Sequence, residues 1–210
     1  FLLKIMEIKV AIQGIQGSFH HQVAHRYFGE AIGLDECVTF RDLANSLKNN
    51  LSDKAIMAIE NSIAGAILPN YALIDSYDLH IIGEHFLDIH MNLMVFPGQT
   101  IEEIQEVHSH PIALLQCANF FSQYPHIKLV ESSDTAIAAK RIQENQLKGI
   151  GALGGPVAAE IYNLEIIANG IHTVKSNKTR FVVLKASNKE IPKDLINKAS
   201  VKFELDDTPG

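Results

Sequence analysis

The sequence predicts an α/β fold in two lobes, and three observations carry that reading. Short apolar or β-branched runs alternate with helix-compatible segments along most of the chain. Several of those runs end in a small polar cluster that opens a helix, which is where open α/β sheets place their ligands. After a long extended crossing, Pro97-Gly98-Gln99 breaks the chain and further α/β units follow, as in a passage from one lobe to a second.

A chain of 210 residues holds one domain or two modest ones around a real core. With 47% apolar and 20% charged residues, its composition is globular and not disordered. A net charge of −6 without any basic run argues against nucleic acid and acidic membranes as partners. No apolar run reaches the roughly 18 residues of a transmembrane helix. Cys37 and Cys117 lie far apart in apolar or helical surroundings, the pattern of two buried thiols in a reduced, cytoplasmic protein. Residues 1–5 carry no cleavage pattern and read as a stretch ahead of a natural start at Met6.

Residues 9–12 make a first strand. Gly14-Ile15-Gln16-Gly17-Ser18 follows, with a helix over about 20–28. The glycines allow a tight turn, while Ser18 caps the helix and leaves amide donors for an anion. The spacing is not that of a dinucleotide-binding loop. A strand ends near Phe40, a helix over 43–51 has Asp42 as its cap, and residues 55–59 form a buried strand. That strand runs into Glu60-Asn61-Ser62, a carboxylate, an amide and a hydroxyl in succession, which serve equally to cap the next turn or to meet a ligand.

Residues 81–84 and 89–96 read as two strand pieces. From Val107 the pattern opens a helix reaching about Gln123, with Ser109 as N-cap, Pro111 in the first turn, and Ile112, Leu115 and Phe120 as the buried stripe. Gln116, seven residues beyond Ser109, falls on nearly the same helical face, so the pair lines one wall of a cavity. His108 with His110, and His21 with His25, have spacings compatible with a metal, but no thiolate or carboxylate cluster accompanies them, and no metal site is expected. A strand over 128–130 leads to Glu131-Ser132-Ser133-Asp134-Thr135, more caps than the helix through 144 needs. A strand over 150–153, a helix over 156–162 and a strand over 166–168 complete the second lobe.

The chain then reaches Asn177-Lys178-Thr179-Arg180-Phe181, a polar loop entering a β-branched strand. A hydroxyl beside a planar cation suits an oxygen-rich anion that exchanges a proton, although an ordinary strand entry has the same look.

Together these segments resemble the prephenate dehydratase family over about 9–184. The marks are Gly14-x-x-Gly17-Ser18-Phe19, Glu60-Asn61-Ser62-x-x-Gly65, Ser109-His110-Pro111-x-Ala113-Leu114-x-Gln116-Cys117, Ser133-x-Thr135-x-x-Ala138-Ala139 and Thr179-Arg180-Phe181. Each alone is unspecific; all five in order are highly specific. The chain departs from the family at His20, where a small hydroxyl residue is more usual. The resemblance implies a two-lobed fold like type II periplasmic binding proteins, with the active site in the inter-lobe cleft. It implies conversion of prephenate to phenylpyruvate in phenylalanine biosynthesis, without a cofactor, by a homo-oligomer, dimer or tetramer. It places catalytic roles on Thr179, Glu60, Asn61, Ser109 and Gln116, and substrate contacts on Ser18, Ser62, Thr135, Arg180 and Phe181. The dehydratase unit is expected over 6–184, with one lobe over about 6–83 plus the returning 175–184 segment and the other over about 84–174. A linker over 185–198 and the start of an ACT regulatory domain over 199–210 follow, a phenylalanine effector site being expected only in the remainder of that domain.

The chemistry of the residues agrees. Expelling the ring hydroxyl needs a donor, decarboxylation is driven by aromatisation, and neither step demands a metal or redox group. Thr179, a weak acid, serves as a hydrogen-bond donor to the leaving oxygen. The alternatives are arogenate dehydratase, which acts on the aminated side chain, and a non-catalytic small-anion binder on the same scaffold; a nucleotide-binding regulator is remote.

Overall fold

The computed structural model describes residues 8–186, 196–201 and 203. The first sheet begins with three parallel strands, Ile8–Gln13 (β1), Ile32–Cys37 (β2) and Lys54–Asn61 (β3), joined by helices Phe19–Phe28 (α1) and Phe40–Lys48 (α2). The short strand Gly65–Ala66 (β4) folds back on β3. An unanticipated helix with proline in its first turn, Leu68–Ser76 (α3), leads to His80–Asp88 (β5). The second sheet holds Asn92–Val95 (β6), Glu106–Ser109 (β7), Lys128–Glu131 (β8), Ile150–Gly154 (β9) and Glu165–Ala168 (β10). Its helices are Pro111–Phe121 (α4), Thr135–Glu144 (α5) and Pro156–Ile161 (α6). Lys178–Lys185 (β11) then returns to the first sheet and lies antiparallel between β3 and β5. The strand orders are β2-β1-β3-β11-β5 and β10-β6-β9-β7-β8.

The expected α/β architecture in two lobes is present. The crossing falls later than expected: residues 81–88 belong to one continuous edge strand of the first sheet, so the lobes meet at residues 89–91 and not at 83. The return passes through residues 169–177 and is tied to the outgoing crossing, since Ile89 N donates to Asn177 O at 2.8 Å and Ile171 N to Met91 O at 2.8 Å.

Side-chain alternation splits the first sheet into two faces. Phe181 and Val183 join a core with α1 that continues through Leu87, Ile89 and Met91 to Leu93, Val107 and Cys117 in the second lobe. Val182 and Leu184 pack with Leu43, Leu47 and Met57 on the opposite face. A third cluster sets Ala138, Ala139 and Ile142 of α5 against Met94 and Ala152, small residues allowing the helix close approach to the sheet.

Several local expectations are corrected. Asp42 is not the cap of α2; Thr39 is, with Asp42 closing a capping box three residues on. Ser109 does not cap α4. It ends β7, and the His110 ring takes the capping role, its Nδ1 accepting from Ile112 N at 3.3 Å. Starting the helix at Pro111 turns its inner face to Ala113, Leu114, Cys117 and Phe121, leaving Ile112 49% and Leu115 77% exposed. The expected linker over 185–198 lies mostly outside the described residues. The strand expected over 199–205 lies partly outside them, and its described members belong to no regular element. Burial pushes the Cys37 thiol up to about 11 and the Cys117 thiol to about 12, so both stay protonated and inert near neutrality.

His20 has a structural role. Beyond the end of β1, Ala58 donates its N–H to His20 Nε2 at 3.3 Å, and its carbonyl accepts from Asn70 Nδ2 at 2.7 Å. Two side chains thus satisfy the backbone N–H and C=O of buried Ala58 where β1 no longer runs alongside β3. The His20 ring meets Phe181 edge-on at 5.0 Å, and burial pushes its pKa down to about 3. An unfolded imidazole titrates near 6.5, so below that pH the unfolded chain takes up a proton that folded His20 refuses. The neutral ring's contribution is complete above pH 6.5 and is lost as pH falls toward 3. Urea unfolding at pH 7 and pH 5 is expected to show the acid-induced loss shrinking by about 2 kcal/mol in His20→Gln, which keeps an acceptor but does not titrate. Equal losses in the two proteins would remove His20 as the acid-sensitive group.

Candidate active site between the lobes

Thr179 stands opposite Asn61 in the β3–β11 register. The Asn61 carboxamide is fixed from both ends. Its Oδ1 accepts from Ile63 N and Ala64 N, both at 3.0 Å, and its Nδ2 donates to Thr179 Oγ1 at 2.9 Å and to Asn177 Oδ1 at 2.7 Å. Because Oγ1 receives this bond, the Thr179 hydroxyl proton is left to point elsewhere. Asn177, 1% exposed, donates from Nδ2 to Gln116 Oε1 at 3.1 Å. That bond joins α4 of the second lobe to the returning strand and leaves the Gln116 amino group as a further donor. Gln116–Asn177–Asn61–Thr179 is therefore one chain of side-chain hydrogen bonds across the lobe junction. Ser62 braces it: its hydroxyl donates to Ser176 O at 3.2 Å and accepts from Lys178 N at 2.9 Å.

Other anticipated residues lie elsewhere. The Arg180 guanidinium is held by Glu84, with Nε at 3.0 Å and Nη2 at 2.8 Å from Oε2, and its Nη1 is 3.7 Å from Glu60. It also lies 5.8 Å from the Phe86 ring centroid, and Lys198 pairs with the same Glu84. Strand alternation directs Arg180 and Thr179 to opposite faces. Glu60 is thus drawn toward Arg180 at the sheet's exposed end. Phe181, expected at the substrate, is 2% exposed in the core, because an aromatic ring at that position fills the space between α1 and the sheet.

A second corner forms where strand ends of the two lobes meet. Ser18 caps α1, accepting from His21 N at 3.2 Å. Four amides of the loop before it are already engaged. Gly14 N donates to Cys37 O, Gln16 N to Glu36 Oε1, Gly17 N to His21 Nδ1 and Ser18 N to Ile15 O. Ser109 is fully buried and donates to Leu153 O at 2.9 Å, tying β7 to β9. It is not on the helix of Gln116 and forms no shared helical wall with it. Thr135 opens α5 next to Gly154. The preceding Asp134 caps the helix through Oδ1, accepting from Ala136 N at 2.7 Å and Ile137 N at 3.3 Å; burial raises its pKa against the opposing pull of those bonds. The lobes touch here: Tyr162 donates its hydroxyl to Gln16 O at 2.6 Å, and Gly17 and Gly155 leave no room for a Cβ against Tyr162 and Phe19.

The four histidines with suggestive spacings have ordinary partners. His108 bonds Glu106 at 2.9 Å, His110 caps α4, and His21 packs edge-on against His25 with ring centroids 4.4 Å apart. Sequence reasoning missed Asn177 as a site member. Its signal was its place two residues before Thr179, where strand alternation puts both side chains on one face. Among the described residues no helix is long and apolar enough to cross a membrane.

The sequence matches the prephenate dehydratase family over residues 10–189. It is 30% identical to a bifunctional chorismate mutase/prephenate dehydratase of Buchnera aphidicola, over 99% of this chain and 54% of that protein. It is 37% identical to arogenate dehydratase 2 of Petunia hybrida, over 97% of this chain and 51% of that protein. The chain thus spans about half the length of these curated relatives. The fold is shared with a prephenate dehydratase from Arthrobacter aurescens solved with L-Phe, at a TM-score of 0.77 and 24% identity, covering 85% of this chain and 60% of that one. With the match running from β1 through β11, this chain belongs to the prephenate dehydratase family.

Proposed function

We propose that the chain is a carbon–oxygen lyase that dehydrates and decarboxylates prephenate, or its aminated counterpart arogenate, to an aromatic product. The observation that carries this reading is the Asn61-to-Thr179 hydrogen bond, which leaves the Thr179 proton to be donated. In the reaction the ring C–O bond breaks with its electron pair going to oxygen, and that oxygen leaves as water after gaining a proton. The ring C–C bond to the carboxylate breaks as carbon dioxide departs, and its electrons complete the aromatic ring. Thr179 donates to the leaving oxygen as charge grows there, a bond stronger in the transition state than in the ground state. Asn61 fixes the direction of that donation, and the Gln116 amino group supplies a second neutral donor. Ser62 and Asn177 hold the frame, with Glu60 at its exposed rim. Ser18 and Thr135 border the substrate's far end. Ser109 supports that end by joining β7 to β9, and Arg180 and Phe181 anchor the strand that bears Thr179.

The direct test is incubation with prephenate and with arogenate while following the absorbance of the aromatic product; turnover of neither compound would sink the proposal. Thr179→Ala is expected to lose roughly two to three orders of magnitude in kcat while still binding substrate. Thr179→Ser should keep appreciable activity, and near-normal turnover in the alanine variant would take Thr179 out of the mechanism.

Asn177→Ala tests the link between lobes. Removing a buried amide that bonds both Asn61 and Gln116 should lower stability by about 1–3 kcal/mol and reduce kcat as well. Lost stability with unchanged kcat would show that Asn177 serves the fold alone.

A further inference from the structure

Asp134 faces Gly14 across the lobe junction with one carboxylate oxygen uncommitted. Oδ1 is occupied by the two amides of α5, whereas a Cβ built on Gly14 would lie only 3.2 Å from Oδ2. In the facing loop the amides of Gly14, Gln16, Gly17 and Ser18 all donate elsewhere. Among the described residues no lysine or arginine forms an ion pair with Asp134, and His110 is the one basic group acting on it. Burial raises the Asp134 pKa, so the cost of its charge is not fully offset by the two amides and His110. An N-cap needs one oxygen; the second, partly buried and with no hydrogen-bond donor among the described residues, is an acceptor that a cationic donor satisfies.

The corner is suitably placed relative to Thr179. Gly14 follows β1, and β3 separates β1 from β11, so at least two interstrand spacings, about 10 Å, lie between the corner and Thr179. In the dehydration substrates the leaving hydroxyl and the side chain occupy opposite positions of a six-membered ring. A substrate bound with its hydroxyl at Thr179 and its ring lying along the junction would bring its side chain to the Asp134 corner. That side chain ends in a ketone and carboxylate in prephenate, and in an ammonium and carboxylate in arogenate. A ketone brings only lone pairs to a carboxylate, whereas an ammonium brings a charge and three donors.

Resting on the dehydratase reading above, we propose that Asp134 Oδ2 receives the side-chain ammonium, making this chain selective for the amino substrate over the keto substrate. The loop glycine gives this reading a steric counterpart, since a Cβ at position 14 would crowd the carboxylate oxygen at 3.2 Å.

The test compares kcat/KM for arogenate and prephenate in the wild-type chain and in Asp134→Asn. Asparagine is as good an N-cap as aspartate, so α5 keeps its cap while the charge is removed. The wild type is expected to favour arogenate, and the ratio of the two kcat/KM values should fall about 10- to 100-fold in Asp134→Asn, mainly through KM for arogenate. An unchanged ratio, or a wild type that uses prephenate as well as arogenate, overturns the inference. Calorimetric titration of the two proteins with arogenate separates this from failure of the dehydratase reading. If neither compound is turned over, that reading falls. Arogenate binding weakened by Asp134→Asn still upholds the ammonium site in that case, and binding that is absent or unaffected overturns it.

Discussion

The structure depends on where its last strand goes. β11 enters the first sheet between β3 and β5, so a segment far along the chain becomes an interior strand, bonded on both sides. Its outer residues then have fixed partners: Thr179 opposite Asn61, Arg180 opposite Glu60, Phe181 in the core. Because the chain leaves the first lobe at residues 89–91 and returns through 169–177, the two crossings lie side by side and bond each other. The second lobe is hung from that paired connection, and the side chain that bridges to it, Asn177, sits on the return crossing just before the strand begins.

Side-chain amides do most of the organising at this junction. A carboxamide both donates and accepts, so Asn61 and Asn177 can hand hydrogen bonds from one lobe to the other without introducing charge. A lysine in place of Asn61 would supply donors but could not accept from Ile63 and Ala64; an aspartate would accept from them but would also take up the Thr179 hydroxyl proton as an acceptor. The cations flanking Thr179 in the strand are engaged elsewhere, Arg180 by Glu84 and Glu60 and Lys178 by Asp88. In the proposed reaction, donation toward the leaving oxygen would fall to neutral groups whose directions are set in advance, which is where electrostatic preorganisation gains over flexible charge.

Much of this was legible in the sequence. The β-α alternation, the Glu60-Asn61-Ser62 strand end and the Thr179 strand entry follow from local patterns and survive in the structure. What failed did so for identifiable reasons. Residues 106–109 carry a helix-cap signature in Ser109 and Pro111, yet the β7 register with β8 and β9 decides their conformation, and a histidine ring takes over as cap. The stripe of α4 differs from the expected one because a helix starting at Pro111 turns Ile112 and Leu115 outward and Ala113, Leu114, Cys117 and Phe121 toward the sheet. Arg180 and Phe181 sit beside Thr179 in sequence, but neighbours in a strand point to opposite faces, and Phe181 on the same face as Thr179 is already claimed by the core. The loop before Ser18 has the glycines of an anion site, yet the amides of Gly14, Gln16, Gly17 and Ser18 are engaged by Glu36, His21 and backbone carbonyls, partners the local pattern does not reveal.

The two ends of the junction then differ in electrostatic character. Around Thr179 and Gln116 the free groups are donors, arranged for an oxygen that becomes more negative as its bond to carbon breaks. Around Gly14 and Asp134 the uncommitted oxygen is an acceptor. A symmetric dianion would fit the first end and be repelled at the second. A molecule with a hydroxyl leaving group at one end and a positive group at the other matches both, and its orientation is fixed by charge before shape enters. Binding energy gained at Asp134 is realised far from the breaking bond, and it is the kind of remote interaction that can be used to hold the leaving oxygen against Thr179. On this view the glycine at position 14 and the carboxamide at position 61 are complementary parts of one device, the first admitting the acidic group that orients the substrate, the second aiming the proton that the reaction consumes.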